Sequence, residues 1–94
     1  MAEQQGAPTR QTLIEYPCDF PIKIMGARVD GFAQAVIEVV LRHAPDFEPA
    51  TAQMRPSAKG NYLAITCTLN ATSQAQLDAL YTELSSHPMV KVVL

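Results

Sequence analysis

Cysteine is scarce in this chain of 94 residues: Cys18 and Cys67 are the whole complement. A small secreted fold stapled by disulfides carries more of them, in an even framework. Reduced thiols and a cytoplasmic location are therefore expected. Basic residues are also few. Seven Lys and Arg against nine Asp and Glu give a net charge of −2. That balance argues against a broad basic footprint for duplex nucleic acid. Long apolar runs are missing, and none approaches the roughly 20 residues of a membrane-spanning helix. The opening Met1-Ala2-Glu3-Gln4-Gln5-Gly6 is polar and lacks the basic-then-apolar layout of a signal peptide. No membrane association is expected.

The signatures of chemistry are missing too. Cys18, His43, Cys67 and His87 form no CxxC or HxxxH pair, so no metal site is expected. There is no Gly-x-Ser-x-Gly, and no pair of carboxylates stands out as a general acid and base. The stretch Gly26-Ala27-Arg28-Val29-Asp30-Gly31 lies where a phosphate loop would lie. It lacks the Gly-Lys-Ser/Thr ending and reads as a plain connection. These absences point to a non-enzyme without a cofactor.

What is present is a globular composition, 48% hydrophobic and 17% charged, of a length that suits one domain. Residues 1–12 show no period and are expected to form a flexible tail, leaving 13–94 as the domain. Phe20, Ile22 and Ile24 alternate with Pro21, Lys23 and Met25, which predicts a half-buried strand ending at Gly26. Asp30 is placed to cap a helix, along which Phe32, Val36, Val39, Val40 and His43 form one stripe. Pro45 stops that helix. Ala50 to Arg55, bracketed by Pro49 and Pro56, predicts a weak edge strand. Ser57-Ala58-Lys59-Gly60 predicts a turn. Asn61 to Asn70 is the clearest strand, with Leu63, Ile65, Cys67 and Leu69 inward. Cys67 is thus expected to be a small core residue. Ser73 and Gln76 have capping-box spacing, and Leu77, Leu80, Tyr81 and Leu84 mark a second helix. Val90, Val92 and Leu94 alternate with Lys91 and Val93 in a last strand.

The order strand, helix, strand, strand, helix, strand predicts an α+β, ferredoxin-like βαββαβ sandwich. Four antiparallel strands in the order 4-1-3-2 would carry both helices on one face. The other face would present Lys23 and Met25, then Tyr62, Ala64, Thr66 and Thr68, then Lys91 and Val93. One aromatic, Tyr62, is too little for base stacking, so nucleic acid is not the expected partner. A protein partner or self-association suits the face better, and a solvated face is the plain alternative. The hairpin offers Arg55, Ser57, Lys59 and Tyr62 as contacts for an anion or a partner, or simply a well-formed turn. With Lys23 and Lys91 they are the candidate contact residues. His43, with Arg42 or Asp46 nearby, is either a functional histidine in a small enzyme or a half-buried residue favoured by the helix dipole. His87 reads as loop.

Gly26, Val36 to Val40 running into Arg42-His43-Ala44-Pro45, Pro56-Ser57-Ala58-Lys59-Gly60-Asn61-Tyr62, and Thr68-Leu69-Asn70-Ala71-Thr72 together resemble the YbeD-like family. The likeness covers Tyr16 to Leu94 and includes the Val-Val-Leu ending. These are small bacterial proteins of uncharacterised function, also labelled lipoate regulatory proteins. The resemblance implies a ferredoxin-like fold similar to the regulatory ACT-type domains. It implies a small anionic metabolite bound between two copies as one mode of action. It brings no catalytic residues.

Overall fold

The computed structural model describes residues 15–94. The expectation of a tail over 1–12 lies outside the described residues. Strand β1 spans Cys18–Ala27 and helix α1 spans Phe32–His43. A single 3-10 turn at Pro49–Thr51 precedes β2 at Gln53–Pro56. Strand β3 spans Tyr62–Ala71, helix α2 spans Gln74–Ser86, and β4 closes the order at Val90–Val93. The four strands form one antiparallel sheet in the order β2-β3-β1-β4, the ferredoxin-like arrangement.

The central pair β1 and β3 runs in unbroken register from Cys18 opposite Ala71 to Ala27 opposite Tyr62. Alternation then settles which side chains go in. Ile22, Ile24, Ile65, Cys67 and Leu69 are buried on one face. Against them pack Phe32, Val36, Val39 and Val40 of α1 and Leu77, Leu80 and Leu84 of α2. Each buried Ile, Leu, Val or Phe contributes about 1.5–3 kcal/mol by leaving water. No polar or charged side chain is buried among the described residues. Both helices lie on one face, and among the described residues the other carries no layer.

Four local expectations are corrected. Asp30 does not cap α1. The cap is Gly31 at φ 87°, with no side-chain hydrogen bond, because a left-handed turn delivers Phe32 straight into the core. Gly26 does not end β1, which continues to Ala27. Gly26 is instead a point of close approach, where a Cβ would strike the Met89 carbonyl oxygen and the Phe32 ring. The second strand starts at Gln53, not Ala50, because Pro49 opens the 3-10 turn and Ala52 N–H closes it on the Pro49 carbonyl.

The fourth correction changes the open face. Met25 pairs with Val92, yet the next residue, Gly26, pairs with Val90. Strand β4 thus holds one extra residue, a β-bulge at Lys91. Val93 lies opposite the buried Ile24 and packs on the core, while Val92 joins Lys91 on the open side. Simple alternation assigns these two valines the other way round.

Candidate functional site

The open face is built by cross-strand rows. Gln53, Thr66 and Lys23 form one row on β2, β3 and β1. Arg55, Ala64, Met25 and Val92 form the next, across all four strands. Tyr62 stands at the end of β3, 48% exposed, and Val92 is 43% exposed. The small side chain of Ala64 leaves a trough between Arg55 and Met25.

Three shallow hollows follow from these rows. Lys23, Gln53, Arg55 and Thr66 border one of ≈ 270 Å³. Met25, Arg55, Pro56, Ser57 and Tyr62 border a second of ≈ 160 Å³, which is apolar. Met25, Tyr62, Lys91 and Val92 border a third of ≈ 360 Å³. No residue lining any of them is buried.

The structure therefore brings together Lys23, Arg55, Tyr62 and Lys91 on one face. Ser57 belongs to the hairpin itself: its hydroxyl accepts from Tyr62 N–H at 3.1 Å, and its own N–H donates to the Tyr62 carbonyl at 2.9 Å. Lys59 stands exposed in the turn and borders none of the three hollows. Gly60 adopts φ 76° in that turn, and the Arg28 guanidinium lies beside it.

His43 is on the other side of the molecule. Its Nε2 lies 2.7 Å from Glu83 Oε1, and the Arg42 guanidinium donates to the same carboxylate. These contacts hold the Glu83 carboxyl below its ordinary range, through the Arg42 hydrogen bond first and the His43 one second. Gln76 Nε2 donates to the His43 carbonyl at 2.8 Å, while Gln76 Oε1 accepts from Thr72 N–H at 2.7 Å. The cluster ties the end of α1 to α2. Asp46, the other neighbour expected for His43, instead accepts from Asn70. His87 Nδ1 accepts from Met89 N–H at 3.1 Å, ordering the connection into β4.

Sequence reasoning missed Val92, Gln53 and Glu83. Glu83 carried a faint signal: it lies seven positions after Gln76, on the same side of α2. Val92 carried none, since a bulge leaves no mark on a four-residue apolar run.

Charge is divided between the layers. Apart from Arg42, every Lys and Arg among the described residues lies on the open face or at its hairpin end. Glu38, Asp78 and Glu83 lie on the helices, and Asp30, Asp46 and Glu48 lie in the helix connections. Asp19 also lies on the open face, at the far end of β1 opposite Asn70, and exposed Glu15 precedes that strand. Among the described residues no carboxylate is paired with Lys23, Arg55 or Lys91. No group of three or more His, Cys, Asp or Glu is placed to hold a metal among them, and no helix is long and apolar enough to cross a membrane.

Residues 11–94 match the family described as "Protein of unknown function (DUF493)". The chain belongs to this family. The DUF493 assignment bears out the YbeD-like resemblance, which names the same family. A relative termed UPF0250 protein, from Leptothrix cholodnii, is 59% identical, over 96% of this chain and 99% of its own. The UPF0250 protein NE1487 of Nitrosomonas europaea is 55% identical, over 92% of this chain and 99% of its own. The solution structure of protein HP0495 from H. pylori superimposes with a TM-score of 0.71 over 97% of this chain and 98% of that one. At 14% identity it shows a shared fold.

Proposed function

We propose that this protein is a non-enzymatic interaction module of regulatory type, and that its working surface is the open sheet face. One observation carries the reading: the division of charge between the two layers. Cations that no carboxylate among the described residues pairs, gathered around exposed apolar side chains, form a surface ready for a partner of opposite sign. Arg55, Tyr62 and Met25, which the face presents, are of types enriched in protein interfaces. His43 supports the same reading from the other side. Its imidazole is engaged by Glu83 in a clamp between the helices, away from the hollows. A link to lipoate metabolism comes with the YbeD-like label. The reading itself rests on the face alone.

The test is site-directed photo-crosslinking of the full chain in living cells. A photoreactive amino acid at Thr66, on the open face, is expected to give discrete protein adducts. The same group at Asp78, on the exposed side of α2, is expected to give none. Adducts from Asp78 alone, or none from either position, would overturn the proposal.

A further inference from the structure

We infer that the open face receives an acidic polypeptide segment from a partner other than this chain, with carboxylates on both sides of an apolar side chain. This rests on the interaction reading above and names its occupant.

The cations do not converge on one point. Lys23 and Arg55 border one hollow, and Lys91 borders another. Between them lies an apolar strip of Met25, Ala64, Tyr62 and Val92. Arg55 on β2 and Lys91 on β4 are three strand spacings apart, about 14 Å. An extended chain places carboxylates four residues apart at about 13 Å on one side, with an apolar side chain midway between them. Such a segment, lying across the strands, meets both cations and fills the strip.

Other occupants fit less well. A small anion would leave most of its surface in water, because no lining residue is buried, whereas small-ligand sites enclose their ligands. A second copy packed face to face about a twofold axis would set cations against cations. A copy packed by its acidic helices would join head to tail and leave the assembly open-ended. Nucleic acid would find a single aromatic on the face, short of a stacking platform.

The probe is a capped peptide, Ser-Glu-Ser-Leu-Ser-Glu-Ser, titrated into the isotope-labelled full chain and followed by amide chemical shifts. The same peptide with Gln for Glu, glutarate, a thymidine oligonucleotide and a dilution series of the protein are the parallel arms. The Glu peptide is expected to shift the amides of Lys23, Met25, Arg55 and Lys91, and the Gln peptide to leave them in place. Arg55→Gln with Lys91→Gln is expected to weaken binding by roughly tenfold, with the spectrum itself reporting an intact fold. Equal response to the Glu and Gln peptides would overturn the inference. So would a response of this face only to glutarate, to the oligonucleotide or to self-association, and the interaction reading would then stand. Silence of the face toward every probe would overturn both.

Discussion

Gly26 shows how one residue registers the packing of three elements. It sits in β1, beside the bulge of β4 and beneath the Phe32 ring at the start of α1. Nothing larger than hydrogen fits there. Gly26→Ala is expected to destabilise the fold by about 1–3 kcal/mol, as other insertions into a packed core do. A fall in the urea midpoint with an unchanged slope would show it. Cys67 makes a second case. Burial pushes its thiol up to about 11, so at pH 8 it stays protonated and unreactive. In the native protein a thiol reagent at pH 8 is expected to modify Cys18 ahead of Cys67, with Cys67 reacting only on unfolding. Mass mapping of the modified sites checks the order. The inward place of Cys67 was legible from its alternation with Ile65 and Leu69. The role of Gly26 was not, because the Met89 carbonyl that confines it arrives from far along the chain.

The helices are joined at the element scale by a polar clamp over an apolar seam. Glu83 on α2 accepts from Arg42 and meets His43 on α1, and both contacts favour its charged form. The sign of the pH effect follows. A carboxyl held below its ordinary value in the folded state contributes stability above that value, 4.5. The contribution fades as pH falls through its lowered folded value. Glu83→Gln is therefore expected to destabilise the protein modestly at pH 7 and to match the parent at strongly acid pH. Thermal unfolding across that range would show the two curves converging. Element types were legible from period: the stripe from Phe32 to His43 and the alternation from Tyr62 to Leu69 each admit one secondary structure. Boundaries were less so. The cap at Gly31 replaced Asp30 because the entry of Phe32 into the core outweighed a local hydrogen bond.

For the whole molecule, net charge conceals its layout. The overall −2 sums charges that are unevenly placed, with Lys23, Arg55 and Lys91 on the open face and Glu38, Asp78 and Glu83 on the helices. Screening over roughly 8 Å at physiological ionic strength lets each face act on its own surroundings. The protein is expected to be retained on a cation-exchange resin at pH 7 and low salt, despite its negative net charge. The triple change Lys23→Gln, Arg55→Gln and Lys91→Gln is expected to abolish retention, and elution against a salt gradient measures both. Lys23, Arg55, Tyr62 and Lys91 were readable as one surface once strand order and parity were known. The hollow beside Lys91 was not, because Val92 reaches it only through the extra residue in β4. That extra residue also bears on colloidal behaviour. Val90, Lys91, Val92 and Val93 form an outer strand of high β propensity, the kind that templates chain-to-chain pairing. A regular strand there would offer an even row of backbone donors and acceptors to a second molecule. The bulge twists that row out of step and turns Lys91 toward solvent at the same point. Deleting Lys91 would straighten the edge, and aggregation would follow before any loss of the fold itself.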